Sequence, residues 1–320
     1  MNSEEWIVKS PGPIVHGTDG TRWMHRALIV VMRYADVRPL YAFMALFAVP
    51  FYFATHRQAV MAIWHYLRRR HGFGLWRSAW LTWLNHYRFG QVVIDRFAMY
   101  AWAGSAHRRQ RFRLEVVNNE LFNELYRADE GFVIMSCHVG NYEMAGYSFN
   151  ATEKPYNALV YGGEAKTVMD NRRRMFTPNN ITMIPVADDM SHIFAMNSAL
   201  ANGEIISIPA DRVFGSPRTG ECRLLGATVR LPLGPFALAT QRGAKAIAIF
   251  VMKEATYRYT VYIRRLDTDT TPSKTGTGGS QKRKREEQTA ALAQTFATEL
   301  ETILRKYPEQ WYNYYEFWED

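Results

Sequence analysis

The sequence predicts an α/β fold with a mixed, largely parallel central sheet, flanking helices and an N-terminal helical membrane-associated region. Two observations predict it. From residue 131 onward, short apolar runs alternate with helical segments, a pattern typical of a parallel sheet covered by helices on both faces. Before that point, residues 21–110 are predicted to form helices rich in Trp, Tyr, Arg and His. We therefore predict an N-terminal region over 1–110 and an α/β domain over 111–320.

The N-terminal region contains one distinctly apolar stretch. Residues 1–20 are polar and expected to be irregular, and Ala27–Met32 is too short an apolar core for a signal peptide. Leu40–Ala54 is apolar throughout, is interrupted by Pro50 and has basic residues on both sides. Because spanning a bilayer takes roughly 20 residues, we expect an interfacial or partly embedded helix. A helix buried in the protein core is the alternative.

The α/β domain is predicted element by element. The predicted strands are 132–137, 156–161, 181–186, 204–210, 245–252 and 257–264. The predicted helices are 141–150, 164–176, 188–201, 233–242 and 286–305, the last with an apolar stripe. Residues 267–281, rich in Thr, Ser and Gly, are predicted to form a loop.

Charge and cysteine content narrow the function classes. The net charge of +9 and the pI near 9.5 favour an anionic partner. Cys137 and Cys222 are the only cysteines, so neither a disulfide framework nor a zinc site is inferred. The sequence also lacks a Gly-x-Ser-x-Gly nucleophile elbow, a Walker A loop and a His-Glu-x-x-His motif. No metal and no cofactor is predicted.

The segment from Gly131 to Gly146 is the strongest candidate site. A buried strand is predicted to end near His138, and a helix is predicted to begin near Asn141 with Glu143 in its first turn. A carboxylate that holds an imidazole makes it a better general base. The ends of strands are also where open α/β sheets place their chemistry. A histidine that merely completes the strand end is the alternative.

Four sequence blocks together resemble a known family. His138-Val-Gly-Asn-Tyr-Glu143 resembles the His-x4-Asp/Glu motif of the lysophospholipid acyltransferase superfamily. The blocks at 206–212 and 226–239, and Pro-Glu-Gln-Trp at 308–311, resemble those of the lipid A biosynthesis acyltransferases of the lauroyl/myristoyl type, in the same order. The resemblance implies that a fatty acyl group is transferred from a thioester to a hydroxyl of a membrane lipid, with a lipid A precursor as the expected acceptor. The implied donor is acyl-carrier protein, or acyl-CoA instead.

The resemblance also implies roles for particular residues. His138 is the expected general base, and Glu143 is expected to orient it. Backbone N–H groups near Gly140 and Asn141 are expected to stabilise the oxyanion. The remaining substrate-binding candidates are basic and acidic side chains at Arg174, Asp211 and Arg212. A solvated arginine is the alternative for the first, and a salt bridge that holds the loop for the other two.

Departures from the family pattern keep other interpretations open. Asp211-Arg212 stands where the family usually has Asp-Gln, and Leu224-Leu225 where it usually has two Phe. Another aminolipid or a lysophospholipid is therefore an alternative acceptor. A lipid hydrolase of the same fold and a non-catalytic membrane-docking protein are further alternatives.

Nucleic acid is not an expected partner, because Lys282–Arg285 adjoins a low-complexity loop. The expected location is the cytoplasmic face of the cell inner membrane, with peripheral or N-terminal anchoring.

Overall fold

Within the part of the chain that the computed structural model describes, the central sheet has seven strands and confirms the predicted fold class. The structure describes residues 22–102, 105–148, 153–160, 166–187, 189–213, 218–267 and 281–318. The predicted irregular segment 1–20, and all but the ends of the predicted loop 267–281, lie outside the described residues. The strands are β1 Arg113–Val117, β2 Phe132–Ser136, β3 Tyr156–Val160, β4 Ile181–Pro185, β5 Ile205–Pro209, β6 Thr219–Leu224, β7 Ala227–Pro232, β8 Lys245–Ala255 and β9 Arg258–Arg265.

The strand order of the main sheet places β2 at its centre. The order in the main sheet is β1-β9-β8-β2-β5-β3-β4, and every neighbouring pair is parallel except β8 with β9. β2 lies in the middle with all five side chains buried. Since successive side chains point to opposite faces, Phe132 and Ile134 join one apolar core while Val133 and Met135 join the other. This two-sided burial is why the β2 sequence is a continuous apolar run.

Helices cover both faces of the sheet. They are α1 Arg22–Tyr34, α2 Val37–Phe43, α3 Val49–Thr55, α4 Arg57–His65, α5 Leu75–Ala101, α6 Ala106–Arg109, α7 Asn119–Arg127, α8 Tyr142–Ser148, α9 Lys166–Phe176, α10 Ser191–Ala201, α11 Gly234–Arg242 and α12 Gln281–Lys306. Two π-helical segments, Met44–Ala48 and Tyr66–Arg70, and two 3-10 segments, Thr177–Asn179 and Pro308–Gln310, complete the helical structure described. The α12 helix begins five residues before its predicted start at 286.

The apolar N-terminal stretch forms a nearly continuous helix with two different sides. Val37–Thr55 is long and apolar enough to cross a membrane by length and composition, and only 17% of its 18-residue window is buried. Its inner side is part of the protein core through Val37, Tyr41 and Val49. Its outer side exposes large apolar side chains, including Phe51. The core-helix alternative therefore fits the inner side only.

Two strand regions were not predicted. β1 pairs in parallel with β9 at the edge of the sheet. β6 and β7 form an antiparallel hairpin whose second strand lies in the block at 226–239. Its two-residue turn is Leu225-Gly226, with φ of 50° and 80°, which is the conformation of tight hairpin turns with positive φ at both central residues. The predicted division of the chain at residue 110 stays a prediction.

Candidate active site

His138 and Asp211 meet at the carboxyl edge of the sheet. β2 and β5 are parallel neighbours with Ser136 opposite Pro209, so the residue two positions after each strand reaches the same place. Asp211 Oδ1 lies 2.9 Å from His138 Nδ1, and Asp211 Oδ2 accepts the backbone N–H of His138 at 3.0 Å. The Asp211 side chain is fully buried, whereas that of His138 is 25% exposed. One carboxylate thus holds both the ring and the backbone of the histidine.

The protonation of this pair follows from its geometry. Burial raises the pKa of the Asp211 carboxyl, but the charge and hydrogen bonds of His138, with the charge of Arg212, outweigh burial and hold that pKa below its usual value. A carboxylate can only accept hydrogen bonds, so Nδ1 of the neutral ring is the protonated nitrogen. Nε2 of the neutral ring is then the nitrogen without a proton, the arrangement that a general-base histidine requires.

Glu143 lies in the first turn of α8, as predicted, but among cationic partners. Its side chain is buried; Oε1 lies 2.7 Å from Arg172 and 3.2 Å from Arg96, and the Tyr100 hydroxyl donates to Oε2 at 3.3 Å. The carboxylate that contacts Nδ1 of His138 is that of Asp211. This is the contact that was expected from Glu143. The role of Glu143 in orienting the histidine stays a prediction.

The N–H groups of Gly140 and Asn141, which were expected to stabilise the oxyanion, are hydrogen-bonded within the protein. The N–H of Gly140 donates to the carbonyl of Gln310 at 2.8 Å, and the N–H of Asn141 donates to the carbonyl of Val251 at 2.7 Å. Both N–H groups are committed within the protein in this structure, and their role as oxyanion donors stays a prediction. Gly140 has φ of +61°, and a Cβ there would lie 2.1 Å from the Val251 carbonyl oxygen. Only glycine fits this close approach to β8.

The Pro-Glu-Gln-Trp block at 308–311 holds this same turn. Besides accepting the Gly140 N–H, Gln310 uses its side-chain amide to accept the N–H of Lys253 at 2.9 Å and to donate to the carbonyl of Lys253 at 2.8 Å. Trp311 forms a β-bridge with Val139. The N–H of Tyr312 donates to the carbonyl of His138 at 3.1 Å. The block is therefore a clamp on the His138 turn.

The two candidate arginines lie in different settings. Arg212 donates to the carbonyl of Tyr312 and to the side chain of Asn313, both at 2.9 Å, so it ties the site to the segment after the clamp. Arg174 is exposed on α9. It lines an open depression together with Asp170, Arg173, Thr177 and Pro178. The substrate contacts of Arg174, Asp211 and Arg212 stay predictions.

Several residues at the site were missed by sequence reasoning. Arg172 is two positions before Arg174 and is buried against Glu143 instead of exposed. Arg96 and Tyr100 come from α5, more than forty residues before Glu143 in the chain, and no local pattern marks them.

Burial, followed by the charge of Asp211, raises the pKa of the Cys137 thiol, which disfavours a cysteine nucleophile. Among the described residues, no cluster of three or more His, Cys, Asp or Glu side chains could hold a metal ion.

A parallel sheet with a carboxylate-held histidine at its carboxyl edge is the kind of site that general-base enzymes use. The comparison with protein families gives the class. Residues 85–318 match the model of the bacterial lipid A biosynthesis acyltransferases. The match covers well over half of the chain, which therefore belongs to the bacterial lipid A biosynthesis acyltransferase family and confirms the resemblance carried by the four blocks. A search of curated proteins found no match.

Proposed function

We propose that this chain transfers a fatty acyl group from a thioester donor to a hydroxyl of a lipid A precursor at a membrane surface. The observation that carries the proposal is the buried Asp211 carboxylate, 2.9 Å from Nδ1 of His138, in a chain of this family. The family consists of acyltransferases, and the geometry supplies the general base that such a transfer needs.

The chemistry follows from the protonation of the pair. Nε2 of His138 takes the proton of the acceptor hydroxyl while the oxygen attacks the thioester carbonyl carbon. Asp211 keeps the proton on Nδ1 and stabilises the imidazolium that forms. The tetrahedral intermediate then expels the thiolate as the C–S bond breaks, and the imidazolium returns the proton to sulfur. The products are an ester and a free thiol, and the histidine regains its starting state.

Glu143 supports this reaction from the other side of the turn. Its contacts with Arg172 and Arg96, at 2.7 and 3.2 Å, place one buried and one partly buried guanidinium group beside the start of α8. In the proposal Glu143 fixes these cations and the helix start, while the direct hold on the imidazole belongs to Asp211. A change at Glu143 therefore affects turnover through placement of the turn.

The donor is proposed to be acyl-carrier protein, with acyl-CoA as the alternative. The carrier is acidic and carries its thiol at the end of a phosphate-containing arm, which suits a chain of net charge +9. The depression beside Arg173 and Arg174 offers exposed cations for such a partner. Acyl-CoA presents phosphates as well, so competition between the two donors at equal concentration distinguishes them.

Membrane docking is proposed to occur through the N-terminal apolar face. We use this name for the exposed apolar side chains of α1–α5 and of the π-helical segment Met44–Ala48, namely Val30, Val31, Tyr34, Phe43, Leu46, Phe47, Phe51, Met61, Leu75, Trp76 and Trp80. Exposed large apolar side chains, when they lie together on a protein surface, mark an interaction site, and these all come from one region of the chain. Docking leaves the acyl chains of the acceptor in the bilayer, and avoids about 0.8 kcal/mol of exposure cost per CH₂.

Mass spectrometry of lipids tests the function directly. Lipid extracts from cells with and without the gene are compared, and the proposal expects one lipid to lose a single acyl chain. Loss of the chain from a lipid A precursor supports the proposed acceptor, and loss from another aminolipid or a lysophospholipid refutes it in favour of that lipid. An unchanged lipid profile, together with no transfer by purified protein, would refute acyl transfer itself.

A further inference from the structure

A buried ion pair lies outside the residues assigned to catalysis. Asp95 on α5 and Lys253 on β8 have no exposed side-chain surface, and the Lys253 ammonium lies 2.5 Å from Asp95 Oδ2. Taking two opposite charges out of water is costly, so such a pair is retained only with good geometry and further hydrogen bonds. Burial lowers the pKa of Lys253, and the charge of Asp95 opposes that change.

Two tyrosine hydroxyls complete the surroundings of the pair. Tyr41 from α2 donates to Asp95 Oδ1, and Tyr259 from β9 donates to Asp95 Oδ2. The Lys253 ammonium also lies 3.0 Å from the Tyr41 hydroxyl. Asp95 therefore accepts hydrogen bonds from groups on three other elements: α2, β8 and β9. It joins the N-terminal helices to the sheet at one point.

Tyr259 connects this network to the His138 turn. Its hydroxyl proton is directed to Asp95, so its oxygen is presented as an acceptor, and the Asn141 side-chain amide donates to it at 3.2 Å. Asn141 is 1% exposed, and among the described residues its Oδ1 has no hydrogen-bond partner. The Tyr259 hydroxyl is thus the contact that sets the orientation of this amide.

Asn141 is placed so that its orientation matters. It lies between His138 and Glu143, and its carbonyl accepts the N–H of Met144 at 3.0 Å in the first turn of α8. The residue after Asp95 on the same helix, Arg96, contacts Glu143 directly. The ion pair therefore acts on the turn by two routes, one through Asn141 and one through the position of α5.

We propose that Asp95, Lys253 and Tyr259 are positioning residues that fix the turn between His138 and Glu143 for acyl transfer. The inference rests on the proposed function. None of the three touches the reacting atoms. Their effect is on the placement of the base, and a displacement of about 1 Å at a catalytic group can cost about 10²-fold in rate. The network should therefore affect kcat while leaving KM nearly unchanged.

Tyr259→Phe is the decisive variant, because it removes only the hydroxyl and keeps the ring in the core. The matched control is Tyr126→Phe on α7, where the hydroxyl accepts the backbone N–H groups of Glu153 and Lys154 at 3.0 and 3.3 Å. Steady-state acyl transfer by the full chain is measured for both. We expect kcat to fall about 10-fold or more in Tyr259→Phe, with KM unchanged, and the control to retain the wild-type kcat.

The double variant Asp95→Leu/Lys253→Met separates positioning from stability. Replacing a buried ion pair by apolar residues is often neutral or stabilising. If the pair of Asp95 and Lys253 has only a structural role, the double variant should therefore fold and have the wild-type kcat. The positioning role predicts a folded variant with kcat reduced at least as much as in Tyr259→Phe. A normal kcat in Tyr259→Phe, or an effect confined to KM, would overturn the inference whatever the double variant does. Lack of transfer by the wild-type chain would instead refute the proposed function.

Discussion

Replacing Asp211 by Asn removes one oxygen acceptor from a carboxylate that serves two donors. In the native site, Nδ1 of His138 and its backbone N–H each reach a different oxygen of Asp211, at 2.9 and 3.0 Å. An asparagine has one oxygen and one NH₂ group, so it can accept from only one of them. If the oxygen faces the backbone, the NH₂ group forces Nδ1 to become an acceptor. The proton then moves to Nε2, which can no longer act as a base.

The alternative orientation is also costly. If the amide oxygen faces Nδ1, the backbone N–H of His138 meets an NH₂ group and loses its partner at a buried position, which costs about 1–3 kcal/mol. In a serine triad, the comparable Asp-to-Asn change lowers kcat about 10⁴-fold through the wrong tautomer. We therefore expect Asp211→Asn to lower kcat by about 10²–10⁴, equivalent to about 3–5 kcal/mol of transition-state stabilisation at 1.36 kcal/mol per tenfold.

The assay is steady-state transfer of a radiolabelled acyl chain, with circular dichroism to confirm folding. Glu287→Gln, an exposed carboxylate on α12 paired only with Arg283 among the contacts described, is the matched control and should retain wild-type kcat. Since the folded-state pKa of Asp211 lies below its ordinary value, its contribution to stability is present above pH 4 and is lost as pH falls through the folded-state pKa. Asp211→Asn should lack that acid-dependent loss. A folded variant with kcat within threefold of wild type would refute the general-base geometry.

Three further outcomes are expected. His138→Ala should remain folded and lose about 10²-fold or more of its transfer rate; near-normal turnover would exclude the histidine as the base. Glu143→Gln should lower kcat more than it raises KM, because the turn is needed in the transition state; the opposite split in steady-state kinetics would contradict this. The pair Trp76→Ser/Trp80→Ser, at side chains 90% and 58% exposed, should weaken liposome flotation about 10-fold or more. Phe194→Ser, at another exposed aromatic, is its control, and equal flotation of both variants would place docking elsewhere.

The central part of the fold could be predicted because its signals are local. The apolar run of β2 ends before His138, and Gly140 and Asn141 mark the following turn, so strand, turn and helix were all indicated by neighbouring residues. Asp211 was likewise placed at a strand exit. Its hydrogen bond to His138 could not be predicted, because it depends on β5 lying directly beside β2 across 73 residues of chain.

The parts that were missed depend on tertiary contacts. The β6–β7 hairpin has Leu225 in a left-handed conformation with φ of 50°, where sequence rules expect Asn, Asp or Gly. The backbone N–H of Leu225 donates to the Glu301 carboxylate of α12 at 2.6 Å. This contact with a distant helix helps to hold the turn. The ion pair of Asp95 and Lys253 is separated by 158 residues, and neither residue carries a local signal of its partner.

The clamp at 308–311, together with Tyr312 directly after it, has a consequence for the order in which the site is built during synthesis. The carbonyl of His138 and the N–H of Gly140 receive their partners from Tyr312 and Gln310, which leave the ribosome about 170 residues after the histidine. At roughly 5–20 residues per second, β2 and its turn wait on the order of 10–30 s before these hydrogen bonds can form. The nascent chain therefore holds its base in an unfinished turn until after the last described strand, β9, has been made. A product truncated before residue 308 would keep every strand and lack the completed site.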